Sequence, residues 1–396
     1  MKPDNCPVCD ATALTTFLHR TNVPVHQNLV VADKPSARAI TRGELDMVAC
    51  QACGFVFNRA FDAAKLAYGE DYDNTQSCSP TFDAYLDDRV RDLVEHHGVR
   101  NCRIVEVGCG KGQFLRKLVS HPGSGNLGFG FDPSYVGPDD DLDGRLHFRR
   151  CFYDASCTDI AADVVVCRHV IEHVPQPLDL LRSVRAALAQ SPDARVFFET
   201  PCVEWILEHR VVWDFFFEHC SLFSGASLRL AFENTGFAVD HVEHIFGDQY
   251  LWLEARVADP AVVDRSDGSV RAGGRTAAMA ATYGIEEQAL QASWFARALA
   301  LRDKGAVALW GAGAKGATFA NLLDPRCELI DCVIDINPNK QGRFIPGTGH
   351  PIIAPDQLAT RNVRSIVLMN PNYREENRRL LAASGLEIAL IDWSET

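Results

Sequence analysis

No stretch of this 396-residue sequence stays apolar for the ~20 residues needed to cross a bilayer. Its first ten residues, MKPDNCPVCD, contain no apolar core of the kind a secretory signal carries. Both absences set the expectation of a cytoplasmic protein with no membrane partner. Positive charge is also short: 39 Lys and Arg stand against 52 Asp and Glu, a net −13. That balance argues against a nucleic-acid partner, whose phosphates need a basic face, but leaves room for a local basic pocket holding a small anion. Cysteine is too sparse, at 14 residues, for a disulfide scaffold of this length. Several cysteines sit inside apolar runs, as Cys167 does in ADVVVCRHV, where a free thiol behaves as a small buried hydrophobe.

What is present is ordinary globular material, 47% hydrophobic and 23% charged, long enough for roughly two or three domains. Residues 1–60 hold paired cysteines and short strand-like pieces such as LDMVAC and GFVFN. Residues 61–100 read as helical, with a polar interruption at YDNTQSCSPTF. From 101 to 255, buried strands (NCRIVEVG, NLGFGFD, ADVVVCRHV, ARVFFETP) alternate with amphipathic helices, the rhythm of a parallel sheet covered on both faces. Residues 256–275 are rich in Gly, Asp and Arg and read as a linker. A long helix and a second strand–glycine-loop–helix unit follow. The expected class is α/β: a cysteine lobe over 1–60, a Rossmann-like sheet domain over 61–255 and a smaller Rossmann-like domain over 256–396.

Four cysteines form two C-x2-C pairs, Cys6 with Cys9 and Cys50 with Cys53, separated by the 40 residues Asp10–Ala49. A C-x2-C turn offers two thiolates to one tetrahedral edge, and two such knuckles complete a four-sulfur zinc site. Four thiolates leave no open position, so the Zn2+ would be structural. The competing readings are a redox pair or unrelated core cysteines.

A first glycine loop, Glu106-Val107-Gly108-Cys109-Gly110-Lys111-Gly112, lies between an apolar strand and the helix QFLRKLV. Asp132 follows 24 positions after Gly108, where a carboxylate can grip the ribose hydroxyls of a nucleoside. Taken alone, these features fit a dinucleotide as well as an adenosyl ligand. The pattern E-x-G-C-G-x-G resembles the first motif of class I S-adenosylmethionine-dependent methyltransferases, and ADVVVCRHVIEHV resembles their fourth strand and the turn after it. The resemblance implies S-adenosylmethionine as cofactor, held by Glu106, Gly108, Gly110, Gly112, Asp132, Pro133, Arg168 and His169.

Methyl transfer to a carbon acid or hydroxyl needs positioning and a base. His169 and His173 are spaced i, i+4 and would share a face if that segment is helical. Glu218-His219 sits in DFFFEHCSLFS, a charged dyad among aromatics, where the carboxylate can orient the ring. The bland alternatives are adenosine-pocket packing for His173 and a satisfied, partly buried ring for His219. A zinc role for these histidines lacks a third ligand of suitable spacing.

Together the cysteine knuckles, YDNTQSCSPTF, the E-x-G-C-G-x-G domain, the EHCS-x-F segment, GAGAKG and MNPNY resemble the nucleotide-sugar C-methyltransferase family over essentially the whole chain. That family methylates C3 of dTDP-linked 4-keto deoxysugars made for antibiotics. The resemblance implies His219, Glu218, His173 and Tyr72 as catalytic residues, and substrate contacts at Asn74 and Gln76. One departure stands out. Family members carry a tyrosine just before the Glu-His pair, and here Phe215, Phe216 and Phe217 precede it. Phenylalanine can neither donate a proton nor hold an enolate, so His219 would act without that partner, or the acceptor differs.

The second glycine loop, Trp310-Gly311-Ala312-Gly313-Ala314-Lys315-Gly316, has Asp335 19 positions beyond Gly316. By motif this is a dinucleotide fingerprint. The family resemblance implies instead a loop facing the substrate's nucleotide half, through Gly313, Lys315, Asn370 and Tyr373, since a helix start attracts phosphate. A purely structural loop is the third reading. The expected function is methylation of a small-molecule acceptor, a nucleotide-linked keto deoxysugar, by a monomer or homodimer. The alternatives are a methyltransferase of a non-sugar metabolite, an NAD(P)-dependent oxidoreductase, or a zinc adaptor without activity.

Overall fold

The computed structural model describes residues 4–29, 31–66, 78–157, 159–258 and 268–392, with backbone alone for 268–272. Tyr72, Asn74 and Gln76 lie outside the described residues.

The central sheet is built where the apolar runs were. Its strand order is Phe237–Ile245, Tyr250–Val257, Arg195–Pro201, Val164–Arg168, Arg103–Val107, Leu127–Phe131, Leu146–Arg149 and Asp140–Asp141. The strands from Arg195–Pro201 to Leu146–Arg149 run parallel; Tyr250–Val257 is antiparallel to both its neighbours. Burial on both faces explains the unbroken apolar character of the parallel strands. Period-two alternation sends Ile104, Val164 and Val166 to one core and Val105, Val107 and Val165 to the other. The connections leave in opposite directions from the neighbouring strands Arg103–Val107 and Val164–Arg168. Ligands of open α/β sheets collect at the carboxyl ends of the strands beside such a reversal.

The amino-terminal lobe is an antiparallel sheet of Leu14–Pro24, Arg42–Cys50 and Val56–Asn58. Its fourth strand, Ser221–Leu222, comes from far along the chain, with Ser221 opposite Phe57. The carboxyl-terminal domain is an all-parallel sheet in the order Ile352–Ile353, Cys332–Ile334, Ala306–Trp310, Val363–Leu368, Ala389–Asp392.

A 35-residue helix, Gly268–Arg302, ties these parts together. It begins where the composition suggested a linker. Its glycines let it lie close against the amino-terminal lobe: a Cβ on Gly273 would stand 2.2 Å from the Ala52 carbonyl oxygen, and one on Gly284 2.3 Å from that of Phe17. One continuous core runs from Cys6 and Cys50 through Val165 and Phe198 to Phe319 and Val367. Among the described residues no helix is long and apolar enough to cross a membrane.

Candidate active site

Three glycines of the first loop occupy left-handed backbone, at φ 69° for Gly108, 52° for Gly110 and 73° for Gly112. At Gly108 a Cβ would strike Val170 at 2.2 Å, whereas at Gly110 it would meet nothing within 4 Å. The first glycine is therefore needed for packing, and the second leaves bare backbone facing open space. Asp132, at the end of the neighbouring strand, accepts from the Gly110 N–H at 2.9 Å and, through its other oxygen, from the N–H and hydroxyl of Ser134. Pro133 continues the chain from it. Glu106 is buried on the strand leading into the loop. Burial raises its pKa to about 8 against the pull of Arg168, and its Oε2 has no hydrogen-bond partner among the described residues. A cradle of bare glycine backbone, a ribose-height carboxylate and an orphaned buried carboxyl oxygen suits a nucleoside with a cationic tail. The donor set fits S-adenosylmethionine.

Arg168 and His169 stand at the next strand end, but their side chains are bound inward. Arg168 Nε donates to Glu199 Oε2 at 2.6 Å, and its guanidinium lies 4.5 Å over the Phe114 ring. His169 bridges two carboxylates, 2.8 Å from Glu199 and 3.2 Å from Glu172. Burial alone would lower the His169 pKa. The charge of Glu199 and the hydrogen bonds to both carboxylates overcome it and raise the value to about 9. Glu199 is buried too, and Arg168 and His169 hold it well below the usual carboxylate range. Sequence reasoning passed over Glu199, although a carboxylate in the apolar strand RVFFETP was a signal.

The helical reading of His169 and His173 is corrected. His169 takes a left-handed φ of 55°, and Ile171–His173 is a single tight turn. The two rings part company: His173 turns to His219, edge to face, with centroids 4.9 Å apart. Burial, aided by neighbouring positive groups, pushes His219 well below its ordinary pKa; burial also lowers His173 against the pull of Glu172, which favours the neutral form of both rings. Phe216 lies against His219 at a centroid distance of 4.0 Å.

Glu218, the neighbour of His219, is engaged by the amino-terminal lobe. Fully buried, it accepts from the Gln27 N–H at 2.8 Å and so faces the amino-terminal lobe.

His169, Glu172, His173 and His219 line one side of a cavity of about 290 Å³; Gly311, Gly313, Lys315, Asp335, Asn370 and Tyr373 line the other. The second glycine loop thus faces the central sheet's carboxyl edge. Its local chemistry repeats that of the first, with Asp335 Oδ2 accepting from Ala312 N–H at 2.8 Å. Gly313 precedes the helix Ala314–Leu323. Lys315 is engaged across the cleft by Asp214 at 2.7 Å and lies 5.4 Å over the Trp205 ring. Burial raises the Asp214 pKa, and Lys315 opposes the shift. Gln249 and Asn370 exchange amide hydrogen bonds at 3.0 and 3.2 Å across the same gap. Asp214, Trp205, Gln249 and Tyr250 were missed in the sequence. They come from a helix, a short helical turn and the start of a strand, whose proximity to the second glycine loop no local pattern encodes.

The other cluster is the cysteine lobe. The Sγ atoms of Cys6, Cys9, Cys50 and Cys53 all lie within 4.8 Å of one another, with Cys6–Cys53 at 3.6 Å and Cys9–Cys50 at 3.5 Å. Gly54, at φ 77°, closes the second knuckle by donating from its N–H to the Cys50 carbonyl.

Two family models match the chain: a methyltransferase domain over residues 81–242 and a C-methyltransferase C-terminal domain over residues 256–384. The C-methyltransferase NovU of Streptomyces niveus is 26% identical over 388 residues, covering 94% of this chain and 91% of that protein. A ubiquinone biosynthesis O-methyltransferase of Vibrio campbellii is 32% identical over 121 residues, 27% of this chain and 47% of that protein. Among solved structures, 1,6-didemethyltoxoflavin-N1-methyltransferase of Burkholderia thailandensis aligns with a TM-score of 0.35 at 14% identity, covering 45% of this chain and 80% of that one.

Proposed function

We infer that this chain, which belongs to the S-adenosylmethionine-dependent C-methyltransferases, methylates a carbon beside a carbonyl in a nucleotide-linked keto deoxysugar. The observation that carries the reading is the cleft itself. It sets the neutral His173–His219 pair on one wall and a second glycine loop, at the start of the helix Ala314–Leu323, on the other.

Each wall has its own task. Bound S-adenosylmethionine supplies an electrophilic methyl on a sulfonium. Gly108, Gly110 and Gly112 shape its bed, Asp132 takes the ribose, and the Glu106 carboxyl meets the polar tail. The acceptor's acidic C–H faces the His173–His219 pair, where its proton goes. The nucleotide half lies along Gly313 and the helix start, whose free N–H groups attract phosphate oxygens. Lys315 adds charge there once released from Asp214. Trp205 and Trp310 supply flat apolar surface. Tyr72, Asn74 and Gln76 keep the substrate-side roles that the family resemblance implies. The four cysteines fit a closed zinc site, a structural staple for a lobe otherwise held by a small sheet.

Phe216 favours a second reading. It occupies the wall beside His219 where an enolate of a sugar ketone would want a hydroxyl, so a more acidic, non-sugar carbon acid also suits the cleft.

Calorimetry with S-adenosylhomocysteine is the test. The expected result is binding by the wild type and by His219→Ala, with methyl transfer to a dTDP-linked 4-keto sugar lost in the variant. No heat from the wild type would overturn the reading, and undiminished turnover by the variant would remove His219 from it.

A further inference from the structure

We propose that Lys340 and Asn337, with the bare backbone of the second glycine loop, form the seat of the acceptor's diphosphate. This seat rests on the nucleotide-linked reading above and supplies the residues that would select for it. Lysine is seldom buried unless its charge is met. Lys340 is only 6% exposed, yet its ammonium makes a single hydrogen bond among the described residues, to the Ala312 carbonyl oxygen at 3.3 Å. Asp335, just past the strand Cys332–Ile334, turns its oxygens elsewhere. They accept from the Ala312 and Asn337 N–H groups, each at 2.8 Å.

Asn337 carries a matching deficit. It is 2% exposed, and its Oδ1 accepts from the Asn339 N–H at 3.0 Å, which fixes the orientation of the amide. Its Nδ2 is then left buried with no hydrogen-bond partner among the described residues, an uncommon state for a polar atom. Both side chains line the cleft. One wall therefore holds a buried cation without an anion and an amide donor without an acceptor, and a phosphate group answers both.

The loop completes the seat. The bond to Ala312 sets the Lys340 ammonium beside the residue that precedes Gly313, and Gly313 caps the helix Ala314–Leu323. A Cβ on Gly313 would meet only Asn28 Oδ1, at 3.6 Å, so the backbone there is open to a ligand. The free N–H groups of the first helical turn attract phosphate oxygens. Lys340 and Asn337 then add charge-assisted hydrogen bonds. Lys315 already has a counter-charge in Asp214, whereas Lys340 needs no release. A free sugar brings no charge to this wall, so the seat selects acceptors that carry a diphosphate.

The test is calorimetry of the full-length protein with dTDP, thymidine and S-adenosylhomocysteine, beside thermal melts without ligand. Lys340→Met removes the ammonium and keeps the length of the chain. Asn337→Asp keeps the oxygen that holds Asn339 and turns the idle donor into a carboxylate oxygen. The wild type should bind dTDP far more tightly than thymidine. Each variant should bind dTDP about thirtyfold or more weakly, while the heat of S-adenosylhomocysteine binding persists. Lys340→Met should melt no lower than the wild type, because an apolar chain relieves the desolvation of a buried charge; a structural staple would melt lower. The proposal is overturned by a wild type that binds dTDP no tighter than thymidine, by Lys340→Met with wild-type dTDP affinity, or by Lys340→Met that melts lower. If Asn337→Asp fails to fold, Lys340→Met alone decides. Methyl transfer to a dTDP-linked 4-keto sugar alongside any of those outcomes sinks only the seat. Variants that lose dTDP, with no such transfer by the wild type, sink the sugar reading and leave the seat standing.

Discussion

Gly110 holds its backbone at φ 52° with open space where a side chain would start, so one substitution separates its two roles. Gly110→Val should lower unfolding free energy by about 1–2 kcal/mol, the cost of a left-handed L-residue, as read by urea denaturation. It should also abolish S-adenosylhomocysteine binding in calorimetry, because the new methyls occupy the cradle. His169 tests the buried charge network. Its folded pKa is raised to about 9 from an ordinary 6.5, so its stabilisation is fully present below 6.5 and is lost as pH climbs through 9. The thermal midpoint of the wild type should fall across that window, and His169→Gln should flatten the fall. The glycines and Asp132 were legible in the sequence because one short loop and a strand end hold them. The Arg168–Glu199–His169–Glu172 network was not. Glu199 is 30 positions from His169, and only parallel pairing of Val164–Arg168 with Arg195–Pro201 brings them together.

The segment that carries Phe216 and His219 is positioned from outside the central sheet. Arg20, on the first strand of the amino-terminal lobe, donates to the carbonyls of Val212 and Phe215 at 2.7 and 3.0 Å. Its remaining charge is met by Glu287 of the long helix at 2.6 Å, both side chains being nearly inaccessible. Removing one partner of such a pair strands a buried charge. Glu287→Ala should cost about 3–5 kcal/mol, measured by urea denaturation, with loss of turnover exceeding loss of S-adenosylhomocysteine binding. The long helix also marks the limit of composition as a guide. Its Gly273 fell within the expected linker, yet it allows close approach to a backbone carbonyl of the amino-terminal lobe, as Gly284 does further along. Intrinsic propensity is a weak prior that tertiary packing overrides.

Across the whole molecule, the α/β rhythm and its restart after the long helix were visible because apolar strands and glycine loops alternate at short range. The assembly of the amino-terminal sheet was hidden, since its fourth strand, Ser221–Leu222, belongs by sequence to another domain. That strand begins two residues after His219, so the cysteine cluster and the cleft are mechanically linked. Chelation of the four-cysteine site should lower the thermal midpoint and abolish turnover. S-adenosylhomocysteine should still give heat below the unfolding temperature, since Gly108–Gly112 and Asp132 stand on the central sheet. A midpoint unmoved by chelator, in protein proven to lose metal, would discount the cysteines as a staple. The borrowed strand also fixes where such enzymes can be recombined. A chimera that exchanges residues 1–60 alone carries away three-quarters of a sheet and leaves its last strand behind. Viable crossovers must move residues 1–60 and 211–224 as one inherited block.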